Sequence, residues 1–430
     1  MPDLLGIDYL RRKLALKAVR VLIRYKYYEG KQQMTRDSIV MPDRLRGMYQ
    51  SITGWCSLAV DQLADRLDFQ GFDETSDLYD VQAVFDLNNP DVLFPSLITE
   101  SMIGACAFAH ISHGDNGERI PKISSLTAFD ATGVIDEFSG LLKEGYAVLD
   151  RDANNMPSLE AYFTPEATEY YQDGKLVRVE DNPALYPLLV PVAYRPTAKR
   201  PFGHSRISRA AMYYTQYAMS TLQRSEVGAE FYAFPQKYAV GTDPEADALD
   251  TWRATISAML RFDKDQDGDS PKLGQFTQLT MQPHLDQLRT AASMFAGETG
   301  LTLDDLGFPS DNPSSAEAIK ASHDSLRVVA RKAQRTYRSA FANIGFLAAS
   351  VRDGRPYKRD LIPDMRAVWA PVFEPDASTL SVVGDGAAKI NQAVPGYLGA
   401  KNLRDLTGIE GDEKNMEAAN NAEEAAEEAA

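Results

Sequence analysis

The chain has 430 residues and carries 45 Lys+Arg against 61 Asp+Glu, a formal net charge of −16. Its 44% hydrophobic and 25% charged residues are globular rather than disordered proportions, and its length allows roughly two to four packing units. The acidic surplus excludes broad gripping of nucleic acid phosphates, and two cysteines, Cys56 and Cys106, exclude a disulfide framework.

The segment Met1–Leu10 has two acids and no basic region, so no secretory signal is expected. Ile7, Leu10, Leu14, Val21, Tyr25 and Tyr28 recur at helical spacing and predict a first helix ended by Gly30. Arg11, Arg12, Lys17, Arg20 and Arg24 fall mostly on its other faces. They read either as a solvated face or as a contact for an acidic neighbour. Ile52, Trp55, Ala59, Val60, Leu63, Ala64 and Leu67 predict a second helix, and Asp91–Gly104 a third. The apolar run 101–112 is far short of the ~20 residues of a membrane span, so no membrane association is expected.

From 105 to 195 short β-rich runs alternate with turn signals, and an antiparallel subdomain is expected. The expected strands are Ala105–Ser112, Ile120–Phe129, Gly145–Leu149, Ser158–Phe163, Lys175–Val179 and Leu188–Val192. A long helix is expected from Ser205 to Ala229, with a small, weakly apolar stripe of Ile207, Ala211, Tyr214, Ala218, Leu222, Ser225 and Ala229. About 25 residues at 1.5 Å each make it roughly 38 Å long. A strand at Gln236–Val240, a helix at Ala246–Phe262 around Trp252, a strand at Leu273–Leu279 and a helix at His284–Phe295 follow. Gly297–Asp311 reads as a loop with four acids and no base. Ser314 with Glu317 forms a capping box. It opens a long helix whose apolar face runs through Ile319, His323, Leu326, Ala330, Ala333, Tyr337, Ala340, Ile344 and Leu347. Beyond Gly354 the chain is Pro- and Gly-rich, and 415–430 is a low-complexity Ala/Glu stretch whose like-charged i,i+4 pairs oppose helix.

The strongest chemical motif is Asp263-x-Asp265-x-Asp267-Gly268. Alternating carboxylates with Gly at the sixth position are how an EF-hand loop wraps calcium. The closing glutamate is absent, because position twelve is Gly274. An exposed acidic turn is the reading preferred over a metal site, and a calcium-responsive scaffold is the alternative function. His110-x-x-His113 sits at a strand-to-turn junction and reads as a polar turn rather than a metal site. His323, on the apolar stripe, reads as a packing histidine. There is no Gly-x-Ser-x-Gly, Walker lysine or Gly-x-Gly-x-x-Gly, so neither an enzyme nor a cofactor is expected.

Several segments, in order, resemble the portal proteins of long-tailed bacteriophages. Arg24–Lys31 looks like the Tyr-Tyr-x-Gly end of that family's first helix, and Trp55–Phe72 like the helix that follows. Val190–Tyr194 leading into Phe202–Ile207 is similar to the junction into its long stem helix. Phe295–Gly300 followed by Asn312–Ile319 is the most specific match. The resemblance spans about residues 8–350 and implies an α+β subunit. Its parts would be a wing (1–203), a first stem helix (204–230), a clip (231–282), a second stem helix (283–297), a tunnel loop (298–313), a long wing helix (314–352) and a crown with C-terminal region (353–414). An acidic tail (415–430) follows.

By that resemblance Ile207, Tyr214, Leu222, Leu285 and Leu288 are stem residues. Glu298, Thr299, Leu301, Asp304, Asp305 and Asp311 line the channel, and Trp252, Asp263, Asp265 and Asp267 belong to the clip. A structural role follows: a ring, of twelve copies in the assembled head, at one capsid vertex of the virion, assembled in the host cytoplasm. The implied partners are capsid and scaffolding protein, the terminase large subunit and a head–tail connector. Double-stranded DNA would pass without sequence-specific binding, kept off the wall by carboxylates.

Overall fold

The computed structural model describes residues 4–34, 50–73, 77, 79–114, 119–233, 237–240, 272–275, 280–309, 323–373, 377–399 and 402–403. In chain order the elements are α1 (Ile7–Tyr28), α2 (Trp55–Ala64), β1 (Phe69–Phe72), α3 (Gln82–Asp86), α4 (Pro90–Gly104), β2 (Cys106–Ser112), β3 (Lys122–Thr127), β4 (Ala131–Ile135), β5 (Leu142–Arg151), β6 (Pro157–Phe163), β7 (Ala167–Gln172), β8 (Lys175–Asp181) and β9 (Leu189–Ala193). There follow α5 (Arg209–Ala233), β10 (Lys237–Val240), β11 (Lys272–Gln275), α6 (Gln282–Thr299), α7 (Asp324–Asp353), a 3₁₀ turn (Arg359–Asp364), β12 (Ala367–Trp369) and α8 (Ala377–Ala393). This mixture of helices and antiparallel sheets is the expected α+β class. Contacts divide the chain into two units, one of Met1–Tyr28, Leu58–Ile207 and Ser315–Ala430, the other of Glu29–Ser57 and Ser208–Ser314.

The first unit is built on two antiparallel sheets, a meander β4-β5-β6-β7-β8 and a three-stranded sheet β3-β2-β9. The meander's turns follow from local chemistry. Asp173 and Gly174 both take positive φ, the two-residue turn whose twist suits a hairpin. Asp152 closes the β5–β6 turn by accepting from the Asn154 and Met156 amides at 2.9 and 2.8 Å. Tyr146, Tyr162 and Tyr170 are buried, and Leu10 and Leu14 of α1 pack on Tyr146, Val148 and Tyr162.

Two buried carboxylates fix α1 to this sheet. Glu144 accepts from the Leu5 and Gly6 amides at 3.0 and 3.1 Å and from the Tyr162 hydroxyl at 2.9 Å. A carboxylate there also meets the positive end of the helix dipole. Glu160 holds the Arg11 guanidinium through both oxygens, at 3.0 and 2.7 Å, and accepts from Tyr146. Burial, followed by the adjacent carboxylates, raises the phenol pKa values of Tyr146 and Tyr162.

Helix α7 carries the expected stripe. Leu326, Ala330, Ala333, Tyr337, Ala340, Ile344 and Leu347 are all buried. Its Phe341 joins Phe69, Phe94 and Trp369 in an aromatic cluster with centroids 4.7–6.0 Å apart. The Tyr337 hydroxyl pairs with Ser101 Oγ at 2.7 Å in the core. The C-terminal segment returns here, because β12 pairs with β1. The capping box at Ser314 lies outside the described residues. His323 is the residue before α7 rather than within its stripe, and its ring lies 5.8 Å from that of Phe373.

Candidate stem and channel elements

The second unit holds the two expected stem helices, α5 and α6, packed on each other. Helix α5 starts four residues later than the sequence suggests. Ser205 donates to the Ile103 carbonyl at 2.7 Å, and the Arg206 amide to that of Met102 at 2.8 Å, so this stretch is tied to the end of α4. The first available cap is Ser208, whose Oγ accepts from the Ala211 amide at 3.1 Å. Ile207, expected in the stem, is buried, precedes α5 and belongs to the first unit.

The weakly apolar character of α5 has a specific form. Alongside Ala211, Ala218 and Met219 it buries Thr215, Gln216, Ser220, Thr221 and Gln223. Hydroxyl groups can be buried there because each donates back along the helix. Thr215 bonds the Ala211 carbonyl, and Ser220 and Thr221 that of Tyr217, all at 2.9 Å. Gln216 donates to the Gln33 carbonyl at 3.0 Å, and Cys56 Sγ lies 3.3 Å from Thr215 Oγ1. Tyr214 and Leu222, both expected stem residues, are half-buried.

Helix α6 is asymmetric along its length. Ala291, Ala292, Phe295, Ala296 and Thr299 are buried, with the Phe295 ring 5.5 Å from Trp55. Over 282–290 no side chain is buried; Leu288 is half-buried and Leu285 is 54% exposed. Met294 and, on α5, Tyr213 are exposed too, at 55% and 49%. Such large apolar groups on helices otherwise packed on one face mark a surface that another chain can cover.

The expected tunnel loop begins later than the sequence suggests. Glu298 and Thr299 form the last turn of α6, which Gly300 ends at φ 73° by donating to the Ala296 carbonyl at 2.8 Å. Thr299 is buried and donates to the Phe295 carbonyl at 2.8 Å, while Glu298 accepts from Ser208 at 2.7 Å. Leu301 and Leu306 are buried anchors of the turn that follows. Asp305 is engaged inside that turn, accepting from the amide and hydroxyl of Thr302, both at 2.8 Å. Asp304 is the exposed carboxylate of this stretch.

Asp311, Trp252, Asp263, Asp265 and Asp267 lie outside the described residues, as do the helix expected at Ala246–Phe262 and the acidic segment 415–430. Lys237–Val240 and Lys272–Gln275 pair as an antiparallel ribbon. No group of three or more metal-ligating side chains occurs among the described residues. No described helix is long and apolar enough to cross a membrane. His110 is buried in β2 with its ring 5.2 Å from Phe163, and burial pushes its pKa down to about 4.

No protein-family model matches the chain. Among solved structures, a chain in the neck of an empty gene transfer agent particle aligns with a TM-score of 0.49 at 14% identity, covering 88% of this chain and 96% of that one. A chain in the neck of the native particle aligns with a TM-score of 0.47 at 15% identity, covering 90% and 100%. The portal protein of Mycobacterium phage L5 is 23% identical over 386 residues, and that of Mycobacterium phage D29 is 24% identical over 386 residues. Each alignment covers 85% of this chain and 77% of the relative. The resemblance carried by the sequence motifs thus extends, over most of the chain, to two portal proteins of long-tailed phages.

Proposed function

We propose that the chain is the structural subunit of a phage portal: copies form a ring at one capsid vertex, and the genome is packaged and ejected through its centre. The observation that carries this reading is the similarity to the L5 and D29 portal proteins along most of the chain. Two structural features support it. The α5/α6 pair leaves Tyr213, Leu285 and Met294 uncovered, as expected of helices that meet the next copy. Asp304 is exposed at the start of the proposed channel loop, where a carboxylate would repel rather than bind passing phosphates.

In this reading residues 1–203 with 314–352 form the wing. Residues 209–233 and 282–299 are the stem, 234–281 the clip, 300–313 the channel loop and 353–414 the crown. Capsid and scaffolding protein meet the outer ring of a twelve-copy assembly. The terminase large subunit, and later a head–tail connector, dock at the clip. The chain itself serves a mechanical role, with nucleotide chemistry supplied by the docked motor.

The test is assembly of the full chain carrying Leu285→Asp and Met294→Asp. Placing two charges on a covered apolar face should block association without unfolding the subunit. Sedimentation velocity should show wild type as a large closed oligomer and the variant as a folded monomer. A wild-type chain that stays monomeric at high concentration would overturn the proposal.

A further inference from the structure

We propose that the first unit carries a phosphate-binding site, independent of the assembly proposed above, in a cavity of about 340 Å³ beside α1. Lys17, Arg20 and Arg24 reach it from one face of the helix, at i, i+3 and i+7, and Lys199 and Arg200 reach it from the turn that follows β9. Phe202 completes the wall. Lys17 Nζ lies 4.9 Å from the centre of that ring, over its electron-rich face.

The site is built before any ligand arrives. Thr197 and Arg200 exchange backbone hydrogen bonds at 3.1 and 2.8 Å, which closes the turn. Gly203, at φ 80°, sits so close to the Tyr194 and Ala105 carbonyls that no side chain fits there. Arg24 is held by donating to the Gly104 carbonyl at 3.1 Å. Its remaining donors stay available on a fixed guanidinium. Lys17 and Arg24 are half-buried at the floor, while Arg20, Lys199 and Arg200 are exposed at the rim.

Five cations converge here in a chain of net charge −16, and among the described residues none of the five forms a salt bridge. Desolvation lowers the pKa of Lys17 and of Arg24, and the charges of Arg200 and Arg20 add to the effect at Arg24. Such a cluster is electrostatically incomplete, and an anion relieves both the desolvation and the mutual repulsion. One compact polyanion neutralises five charges in so small a volume better than a single carboxylate does. Guanidinium forks match phosphate oxygens in pairs. The shared chemistry is a phosphate oxyanion, supplied either by the backbone of a DNA duplex lying on the rim or by a free phosphate inside.

The experiment uses the full chain and three probes: a fluorescein-labelled 20-base-pair duplex followed by anisotropy, pyrophosphate followed by calorimetry, and polyglutamate as competitor. The comparison variant is Arg20→Gln with Arg200→Gln, two exposed rim positions whose change should leave the thermal midpoint in place. Binding of the duplex or of pyrophosphate, weakened at least tenfold in the variant, supports the site. Duplex binding alone identifies a nucleic acid backbone as the source, and pyrophosphate alone a free phosphate. Absence of binding by both at low salt would overturn the proposal. So would binding unchanged in the variant, or polyglutamate competing as well as the phosphate probes.

Discussion

Glu144 ties the start of α1 to the meander sheet, so Glu144→Gln tests how the helix is seated. The carboxylate is 1% exposed and accepts three hydrogen bonds, two of them from amides at the start of α1. A glutamine of the same shape loses the charge and turns its NH2 toward one of those donors. A hydrogen bond to a charged group contributes about 1 kcal/mol more than a neutral one, and the helix dipole adds up to about 2 kcal/mol in a partly buried site. The combined effect is about 3 kcal/mol, weighing the lost charge against the one good bond the amide oxygen keeps. Hydrogen–deuterium exchange of a peptide covering Ile7–Val21 reads this directly. Its protection should fall roughly a hundredfold, since 1.4 kcal/mol is a factor of ten, while the α7 core stays unchanged. A change below about threefold would refute the claim that Glu144 anchors the helix.

Three further outcomes follow from other parts of the molecule. In Gly203→Ala the new Cβ would stand 2.2 Å from the Tyr194 carbonyl oxygen and 2.7 Å from that of Ala105 at a φ only glycine adopts easily, so soluble yield and melting temperature should collapse; a midpoint within a degree or so of wild type would contradict the stated clash. The unfolded chain protonates His110 near pH 6.5 but the native chain only near 4, so its contribution is intact above about 6.5 and lost as pH falls toward 4, by about 3 kcal/mol in all. Urea titrations at pH 7 and pH 4.5 should show a smaller acid loss in His110→Leu, and equal losses would exclude this histidine as the cause. Both native cysteines are buried, with the Cys56 thiol pushed up to about 11, so a maleimide–gold label on Asp304→Cys should react selectively and appear in the central hole of assembled rings, not at the outer rim.

How much of this was legible in the sequence depended on how local the determining interactions are. The α7 stripe, the α4 run and the hairpin at Asp173-Gly174 announce themselves through periodicity and turn residues, and the structure follows them closely. Strands β4 and β7 escaped because Ala-Thr-Gly-Val-Ile and Ala-Thr-Glu-Tyr-Tyr-Gln alternate too weakly to stand out, and they exist by pairing with β5 and β6. Strands β1 and β12 escaped because each is completed by a partner from the other end of the chain. The start of α5 was misplaced for the same reason: Ser205 and Arg206 are claimed by carbonyls of α4, which no local pattern reveals. In the candidate channel region the acids were visible, but their engagement was not. Ser208 takes Glu298 and Thr302 takes Asp305, while the Asp304 side chain is exposed. The basic face of α1 was equally visible, while the cavity it shares with Lys199 and Arg200 required the fold.

A portal subunit must assemble into a ring with a passage through it. Electron micrographs of the purified full-length protein test it most directly. Annular particles of uniform copy number, with a central hole wide enough for a DNA duplex, are expected. A field of single subunits at high protein concentration, or closed particles without a hole, would contradict it.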